Sequence, residues 1–568
     1  MLDYSSQIQE CEHRQNVQAR FADGRVLCGP AGTRLEAFVR AAIPPQSVPV
    51  VAALVSGRLA DLTEPLITDV DVEPVSLASE DGIRIYQRSL ILMLEAAANE
   101  LFQVRMDVDY SLTFGGLYCH AIERALSAKE VAQIDARMRS IFAEDAPIRR
   151  EVVRIEDAIA WFKSQGDEEQ VRLLSQVNRK EVTLCSLRQV KQYFFGRLLV
   201  PSTSYLKQFA VWPDPPGLVL QLPQRTRPMA LEPPKRSPKL TAVTEQYGQW
   251  LSLLGVPDVG ALNQALSKSR AREIVLVAEA LHEQRIAEMA ASIAARRSVR
   301  LITIAGPSSS GKTTFARRLA IQLLANGLRP FPVSLDDYFV AREETPRDVW
   351  GNYDYEDLHA LDLALFNEHL LALMNGERVT LPLYNFEKGE RETGQTVQLT
   401  PEHVLLIEGI HGLNPNLVPR IPAERIYRIY VSALTQLKLS RLNRISTTDT
   451  RLIRRIVRDA QTRGYNAKDT IARWDSVRRG EERNIFPYQE QADNMFNSAL
   501  VYELAALKPL VEPLLRQVEP NTPEYVEARR LLILLEWFYP CDAKMVPENS
   551  ILREFIGGSV VSDFVPHL

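Results

Sequence analysis

Cysteine and histidine are scarce in this chain, which has five cysteines and eight histidines among its 568 residues. The cysteines lie far apart, and no two of them form a Cys-x-x-Cys pair. This sparse, odd-numbered set excludes a disulfide framework and predicts reduced thiols in a cytoplasmic protein. The cysteines are Cys11, Cys28, Cys119, Cys185 and Cys541.

Long apolar runs and an excess of positive charge are also missing. No stretch of about 18 apolar residues occurs, so the sequence predicts no membrane-spanning helix and no membrane partner. The N-terminal stretch "MLDYSSQIQECEHRQ" is polar and lacks the apolar core of a signal peptide. The formal net charge is −4, so only a local basic patch is left to attract nucleic acid.

The chain does have length, more than one hydrophobic core can use, and its composition changes along the sequence. We expect a multidomain protein that combines β-rich, α+β and α/β parts, the last with a parallel sheet wrapped by helices. The expected parts are a small β-rich module over 16–80, an α+β domain over 85–210, a proline-rich extended connector over 211–240, an α/β domain over 259–515 and a C-terminal extension over 520–568.

One phosphate-binding motif stands out in the α/β part. Residues 306–313 read "GPSSSGKT" and fit the pattern Gly-x-x-x-x-Gly-Lys-Ser/Thr. An apolar β-type run precedes the motif and an amphipathic helical run follows it, which is the context that this pattern requires. The loop amides and Lys312 then bind the phosphates of a nucleoside triphosphate, and the Thr313 hydroxyl serves Mg²⁺.

Two later strands end in acids. "FPVSLDDYF" closes on Asp336 and Asp337, and "HVLLIEGIHGL" carries Glu408. Ligands of open α/β sheets lie beyond the carboxyl ends of the strands. Asp336 is therefore a candidate base for an acceptor hydroxyl, and Glu408 is a candidate for Mg²⁺ or its water shell. The alternatives are a solvated acidic turn at Asp336 and a buried structural acid at Glu408.

A third segment is dense in arginine. Arg451, Arg454, Arg455 and Arg458 recur at helical spacings, so several of them share one face. Guanidinium groups bind phosphate bidentately and stabilise charge on a transferring phosphoryl group. A lid that closes over ATP is one interpretation, and a solvated helix face is the other.

Residues from about 300 to 500 resemble the uridine kinase and phosphoribulokinase family of P-loop kinases. The matching stretches occur in order as "GPSSSGKTT", "SLDDYF", "NYDYEDLHALD", "LPLYNFEKGER", "LLIEGIHGL" and "DTRLIRRIVRD". The resemblance implies ATP and Mg²⁺, with Asp336 as general base, Glu408 beside the metal, and Lys312, Arg454, Arg455 and Arg458 as catalytic cations. It implies ATP contacts at Gly306, Pro307, Ser308, Ser309, Ser310, Gly311, Lys312, Thr313 and Thr314.

The acceptor side departs from that family. The segment "NYDYEDL" stands where the family has "NFDHP", and Gly389 occupies the place of a histidine that recognises the pyrimidine base. Phosphoryl transfer is expected to persist, while the choice of uridine is open. The resemblance implies acceptor contacts at Tyr338, Asp354, Glu356, Tyr384, Phe386 and Arg391.

The front half resembles two modules of threonyl-tRNA synthetases. Residues 16–80 resemble the TGS module, and residues 85–210 resemble the editing-type domain that follows it, through "YSLTFGGLYCHA" and "LSAKEVAQIDARMRSIFAEDAPIRREVV". The metal motifs of that domain are altered: Arg88–Leu92 replaces His-x-x-x-His, and Cys185–Gln189 keeps only the cysteine of Cys-x-x-x-His. We therefore expect no zinc and no metal-dependent editing there.

Three functions remain open at this point. The first is a kinase that phosphorylates a hydroxyl of a nucleoside-like small molecule, and the second is a kinase for another sugar or sugar phosphate. The third is a regulatory protein whose front half binds tRNA or an amino acid while ATP acts as a switch, although the acidic balance of the chain disfavours strong RNA binding. Assembly into an oligomer is compatible with all three.

Overall fold

The computed structural model describes residues 15–44, 47–112, 114–235, 237–348, 351–385 and 388–564. Across these ranges, no helix is long and apolar enough to cross a membrane. The chain is multidomain, as predicted, with β-rich and α+β parts in front and a parallel sheet in the C-terminal half. The cysteines in the described part, at positions 28, 119, 185 and 541, are free.

The first part is a small mixed sheet that packs on one helix. Its elements are β1 (Asn16–Phe21), β2 (Val26–Pro30), α1 (Leu35–Ala42), β3 (Val50–Val55), β4 (Arg58–Ala60) and β5 (Val70–Ser76). The strands lie in the order β2-β1-β5-β3-β4, with β1 and β5 parallel and the other neighbours antiparallel. Alternate residues of β1 are buried against α1, as a strand with one covered face requires.

The second part joins helices to two antiparallel sheets. Its elements are α2 (Glu80–Phe102), β6 (Met106–Leu112), β7 (Gly116–Ala121), α3 (Ala128–Ala143), β8 (Arg149–Arg154), α4 (Ile155–Ser164), α5 (Glu168–Leu174), β9 (Glu181–Leu187), β10 (Val190–Tyr193), β11 (Ala210–Asp214) and β12 (Gly217–Gln221). The sheets have the orders β10-β9-β8 and β11-β12-β7-β6. Ser127 and Glu130, in the spacing Ser-x-x-Glu, form a capping box at the start of α3.

The sequence prediction of an extended connector over 211–240 differs from the structure at its beginning. Strands β11 and β12 form a hairpin, and β12 pairs with β7 inside the second sheet. The run "GLVLQ" of β12 is buried at every position, so its apolar side chains outweigh the proline signal. The prolines lie at Pro213 on the edge strand β11 and at Pro215 and Pro216 in the turn, where no ladder hydrogen bond is lost.

Three helices lead to the parallel sheet: α6 (Pro238–Leu253), α7 (Val259–Ser267) and α8 (Ala271–Ala295). The helices α7 and α8 are separated by a break at residues 268–270. Ser269 takes a positive φ of 61° in that break, which a continuous helix does not allow.

The C-terminal half is a parallel α/β sheet with added hairpins. Its elements are β13 (Leu301–Ala305), α9 (Lys312–Ala325), β14 (Arg329–Ser334), α10 (Leu363–Met374), β15 (Arg378–Asn385), β16 (Glu390–Gln398), β17 (His403–Glu408), β18 (Ile426–Ser432), β19 (Lys438–Ser440), β20 (Asn443–Arg444), α11 (Thr447–Thr462), α12 (Ala467–Asn484), β21 (Asn494–Asn497), α13 (Glu503–Leu515), α14 (Tyr525–Leu535) and α15 (Arg553–Ile556).

The strand order β14-β17-β13-β18-β21 puts the first strand of this half at the centre of the sheet. All four neighbouring pairs are parallel. The chain leaves β13 for β14 on one side and later returns to β18 on the other side. The loops that follow β13, β17 and β18 therefore meet beyond one edge of the sheet, which is where ligands of such sheets bind.

The front half and the C-terminal half share their buried core. One apolar cluster contains Phe162 of α4, Phe315 of α9 and Trp537, which follows α14. The hairpin β19–β20 reaches into the second part, where Val108 N donates to the carbonyl of Arg441 at 2.9 Å. Arg441 also binds Glu95 at 2.8 Å and Asp167 at 3.1 Å, and all three side chains are buried. Residues beyond 520 belong to this common core as well.

Candidate active site

The loop between β13 and α9 encloses the N-terminus of α9. Gly311 is the N-cap of α9 with a φ of 85°, and Ser309 has a positive φ of 57°. A left-handed conformation is strained for serine, and such strain occurs where a loop has a binding function. Gly306 tolerates no side chain, because a Cβ there would collide with the carbonyl oxygen of Val431 on β18. The loop thus has the backbone geometry of a phosphate-binding nest.

Glu408 ends β17 and faces the first two residues of α9. Lys312 Nζ lies 4.0 Å from Glu408 Oε1, and Thr313 Oγ1 donates to Glu408 Oε2 at 3.5 Å. Burial raises the pKa of Glu408 to about 7, and the nearby Lys312 opposes that rise. An incompletely compensated carboxylate beside a hydroxyl suits a divalent cation with oxygen ligands. The structure brings the residues predicted to serve Mg²⁺ together.

Asp336 lies at the same edge of the sheet. It belongs to a short 3₁₀ turn, Leu335–Tyr338, directly after β14, and the register of β14 with β17 sets Ser334 level with Glu408. The Asp336 side chain is open to the cleft, while the protein around it raises its pKa and Lys312 lowers it. A carboxylate in this position can accept a proton from a group that approaches the loop.

Asp337 has a different environment from its neighbour. Its Oδ1 accepts a hydrogen bond from the backbone N–H of Tyr384 on β15 at 3.3 Å. Burial raises the pKa of Asp337, and that hydrogen bond lowers it. The family resemblance selected Asp336 over Asp337, and in the structure Asp337 holds β15 while Asp336 stays exposed.

Glu356 is a third acid near Lys312. Burial raises its pKa to about 7, Glu481 adds to the rise, and Arg455 and Lys312 oppose it. The backbone carbonyl of Glu356 accepts a hydrogen bond from the Asn484 side chain, which fixes the residue against α12. The acids Asp336, Glu356 and Glu408 therefore share one lysine as a source of positive charge.

Two arginines of α11 support the phosphate loop from within the protein. Arg451 Nε donates to the carbonyl of Ser308 at 2.8 Å, and Arg454 Nη1 approaches the carbonyl of Ser309 at 3.4 Å. Both side chains are almost fully buried. Arg451 forms an ion pair with Glu481 of α12, and Arg454 pairs with Glu503 of α13 at 2.6 Å.

These contacts bear on the predicted lid. Arg454 was expected to neutralise the transferring phosphoryl group, but its guanidinium is occupied by protein oxygens at the back of the loop. This geometry favours a positioning role for Arg454. Arg455 is closer to the expectation, since its Nη1 donates to Ser308 Oγ at 2.9 Å. Arg455 and Arg458 both pair with Asp459, at 3.2 and 3.0 Å.

Sequence reasoning missed two charged residues at the site. Glu481 Oε1 accepts a hydrogen bond from the backbone N–H of Ser308 at 2.9 Å, so an acid already contacts the loop. Arg463 lies close enough to Asp336 to lower its pKa. Glu481 sits in the charged run "RRGEER", where nothing distinguishes a buried acid from its exposed neighbours. Arg463 comes just after α11, four residues beyond Asp459. This helical spacing could have indicated that Arg463 belongs with the arginines of α11.

The predicted acceptor residues do not all face the loop. Tyr338 is buried and its hydroxyl meets His369 Nδ1 of α10 at 3.2 Å. Arg391 pairs with Asp362 at 2.9 Å. These two side chains are directed toward α10 and its N-terminus.

The other described acceptor candidates contact α12 and the segment that follows β14. Asp354 pairs with Arg483 of α12 at 2.5 Å, and Tyr384 packs against Phe339 with ring centroids 5.6 Å apart. Glu356 is the acceptor candidate with the clearest electrostatic link to Lys312. Phe386 lies outside the described residues. The acceptor roles of these six residues stay predictions.

Two hydroxyls of the loop lack partners. In the described part of the chain, Ser309 Oγ and Ser310 Oγ are buried and no hydrogen-bond partner reaches them. Buried polar atoms are nearly always paired, so an unpaired pair inside a strained loop indicates a ligand that supplies the missing partners. Phosphate oxygens, together with a Mg²⁺ ion at Thr313 and Glu408, fit the residues present.

In the altered metal motif of the front half, the polar side chains lie against backbone carbonyls. Arg88 Nε donates to the carbonyl of Leu198 at 3.2 Å, and Cys185 Sγ lies 3.8 Å from the carbonyl of Arg197. Burial raises the pKa of the Cys185 thiol to about 12. Within the ranges that the structure describes, no three His, Cys, Asp or Glu side chains are grouped to hold a metal.

Comparison with known proteins agrees with both resemblances seen in the sequence. Residues 301–504 match the phosphoribulokinase / uridine kinase family. The N-terminal region is similar to the threonine–tRNA ligases of Staphylococcus aureus strains JH9 and Newman, with 29% identity over 197 residues, or 34% of this chain. The chain spans 30% of the length of those relatives.

Solved structures of kinases align with about a third of the chain. A possible uridine kinase from Bacillus stearothermophilus has 20% identity and a TM-score of 0.24, and the alignment covers 35% of this chain and 88% of that one. D-glycerate 3-kinase from Cryptococcus neoformans has 16% identity and a TM-score of 0.27, with 35% and 87% covered. The family match itself is confined to residues 301–504, within the C-terminal half.

Proposed function

We propose that this protein is an ATP- and Mg²⁺-dependent kinase that transfers the γ-phosphate of ATP to a hydroxyl group of a nucleoside-like small molecule. The observation that carries the proposal is the convergence of Lys312, Asp336 and Glu408 beside a strained loop with unpaired hydroxyls. A P-loop supplies the donor site, and an acid across the cleft supplies the base that a hydroxyl acceptor needs.

The donor side rests on the loop. Backbone N–H groups and the N-terminus of α9 bind the phosphates, and Lys312 adds a positive charge at the β- and γ-phosphates. Thr313 and Glu408 hold Mg²⁺, directly or through water. Mg²⁺, when bound, draws charge from the phosphate oxygens and orients them. Arg455 reaches Ser308 on the same side of the loop and is the arginine best suited to the transferring group.

The acceptor side rests on Asp336. Its oxygen takes the hydroxyl proton as the acceptor oxygen forms a bond to the γ-phosphorus and the bond from that phosphorus to the bridging β-γ oxygen breaks, releasing ADP. Desolvation by the surrounding protein raises the pKa of Asp336, which makes the carboxylate a stronger base than one in water. Glu356, beside the same lysine, is positioned to bind an acceptor hydroxyl.

The adjacent acid provides a matched test of this proposal. We expect Asp336→Asn to lower kcat by about 10³-fold, because the general base is lost, and to leave the Kd for an ATP analogue within about threefold. Asp337→Asn keeps an oxygen for the Tyr384 N–H and is expected to retain kcat within about threefold. Full turnover by Asp336→Asn would remove Asp336 from the role of base.

A second candidate is a kinase for an acidic acceptor, such as a sugar phosphate. Arg342 favours it, because a Cβ at Gly389 would lie 2.8 Å from Arg342 Nε, and the backbone N–H of Arg342 donates to the Gly389 carbonyl at 3.0 Å. A guanidinium therefore adjoins the position where the family resemblance implies a base-recognising histidine. Arginine suits a phosphate better than a neutral pyrimidine.

A panel of acceptors separates the two candidates. Purified protein is incubated with ATP, Mg²⁺ and either nucleosides or sugar phosphates, and the products are identified by mass. A nucleoside monophosphate as product supports the first candidate, and a bisphosphorylated sugar supports the second. For the second, Arg342→Gln is expected to raise the KM of the acceptor about tenfold with little change in kcat.

The remaining expectations accompany either candidate. We expect the kinase activity to reside in residues 259–515. We expect the front half, over 16–80 and 85–210, to bind tRNA or an amino acid instead of catalysing editing. A cytoplasmic location follows from the reduced thiols. Binding of tRNA to the full chain, measured with and without ATP, tests the front half independently of turnover.

A further inference from the structure

The C-terminal segment Ser550–Ile556, called here the C-terminal strap, lies against the phosphate loop. It consists of a turn followed by α15. Ile551, Leu552 and Phe555 of the strap are fully buried. Ser550 Oγ donates to Glu279 Oε1 of α8 at 2.5 Å, which fixes the beginning of the strap. The family match ends at residue 504, so the strap lies outside it.

The strap contacts the loop at two points. The backbone N–H of Thr314 donates to Glu554 Oε2 at 3.0 Å. Ile551 packs directly on Gly311, where a Cβ would collide with the isoleucine methyl group. Thr314 is the third residue of α9, so its N–H is one of the first-turn donors that have no partner within the helix.

The strap also contacts the arginine helix α11. The guanidinium of Arg454 lies 5.0 Å from the centre of the Phe555 ring. The side-chain amide of Gln461 lies 3.3 Å from the carbonyl oxygens of both Phe555 and Ile556, a distance at which its NH₂ group can donate to them. One segment thus touches both the helix that begins at the loop and the helix that supports the loop from behind.

The carboxylate of Glu554 accepts a hydrogen bond from a backbone N–H that a bound nucleotide would need, that of Thr314. First-turn amides of a P-loop helix bind phosphate oxygens, because they point toward the anion and carry the positive end of the helix dipole. A carboxylate oxygen can accept from the same N–H, and the same helix dipole stabilises its negative charge. A phosphate and Glu554 cannot both be the acceptor of the Thr314 N–H at 3.0 Å.

We propose that the C-terminal strap is an autoinhibitory element, in which Glu554 stands in for a phosphate oxygen at Thr314 and nucleotide binding displaces it. This inference rests on the proposed function, namely that a nucleotide donor binds at residues 306–314. The affinity for nucleotide is then reduced by the fraction of molecules in which the strap is closed. Any partner that draws the strap away from the loop would activate the kinase.

Binding measurements on charge variants test the competition. Wild type, Glu554→Ala and Glu554→Gln are titrated with AMP-PNP and Mg²⁺ by calorimetry. Both variants are expected to bind about fivefold more tightly than wild type, because one charged competitor for the amide is lost. Glu548→Gln removes the same charge from an exposed position nearby and is expected to leave the affinity unchanged. Equal or weaker binding by Glu554→Ala overturns the inference.

Hydrogen exchange distinguishes displacement of the strap from a simple change of local charge. In the wild-type chain, the amides of residues 550–556 are expected to exchange faster when AMP-PNP is added. Unchanged or slower exchange there means that the strap stays in place, and the inference fails while the proposed donor site stands. If neither wild type nor the Glu554 variants bind AMP-PNP, the donor site itself is wrong and the inference falls with it.

Discussion

The phosphate loop and the altered metal motif of the front half are both places where the sequence predicts ligand chemistry, and the structure treats them in opposite ways. At the loop, Ser309 and Ser310 keep buried hydroxyls that no described residue satisfies. In the front half, Arg88 and Cys185 reach backbone carbonyls of the same part of the chain. Unpaired buried groups point to a missing ligand, whereas internally paired groups point to a site rebuilt as structure.

Removal of Glu408, the acid that faces the loop, is the strongest test of this contrast between the loop and the front half. We expect Glu408→Gln to lower kcat by 10²- to 10³-fold, roughly the size of losing a metal-positioning carboxylate, and to raise the Mg²⁺ concentration needed for half-maximal rate. Steady-state kinetics over a Mg²⁺ series measure both effects. Glu402→Gln, at an exposed position just before the same strand, is the matched control and is expected to behave as wild type.

Nearly normal Mg²⁺ dependence in Glu408→Gln would contradict the role given to Glu408. It would also mean that the contact of Thr313 with Glu408 is structural. The loop would then resemble the altered metal motif of the front half, where polar groups are paired within the protein and bind no ligand.

A second test concerns the support behind the loop. Arg454→Met leaves the buried Glu503 without its guanidinium partner, and we expect the free energy of unfolding to fall by about 3–5 kcal/mol. Urea denaturation followed by circular dichroism gives this value. The double variant Arg454→Met with Glu503→Leu removes both charges and is expected to recover much of the loss. A loss of less than about 1 kcal/mol in the single variant would contradict the positioning role of Arg454.

Much of the fold followed from local sequence patterns. The alternation of strands with helices after residue 300 predicted the parallel sheet. The start of α3 is likewise readable from the spacing of Ser127 and Glu130, because a capping box is a local interaction. The hairpin β11–β12 was missed, because its prolines dominate the local signal while its pairing partner, β7, lies about a hundred residues earlier. Long-range pairing has no local signature.

The candidate site divides along the same line. The common location of Lys312, Asp336 and Glu408 at one edge of the sheet could be predicted, because each residue lies next to the end of a strongly patterned element. Glu481 and Glu554 were missed, because each contacts the loop from a helix distant in sequence and the residues around them carry no motif. The charge pattern around Arg454 gives the spacing of the arginines but not which of them is buried, so its contacts with Glu503 and the loop carbonyl could not be predicted.

A variant of the altered metal motif in the front half is expected to change stability but not turnover. Arg88→Met removes the hydrogen bond to the Leu198 carbonyl, and we expect an unfolding free energy lower by about 1–2 kcal/mol with kcat unchanged. Denaturation and kinetics on the same preparation check the two parts. If kcat instead fell tenfold or more, the position of Arg88 would belong to the chemistry, and the contrast with the loop would fail.

The smallest expected effect concerns pH at the junction of the two halves. A hydrogen bond from His120 Nδ1 to Asp109, at 3.0 Å, raises the pKa of His120 above its ordinary 6.5, and Asp109 also binds Lys438 of β19. A raised pKa stabilises the fold fully below pH 6.5, and the benefit disappears as pH rises through the folded value. His120→Asn should therefore cost about 0.5–1 kcal/mol at pH 6, since the pair is partly exposed, and almost nothing at pH 9. Urea denaturation across that range measures the difference, and a cost independent of pH would show that the ring acts by packing on Tyr118.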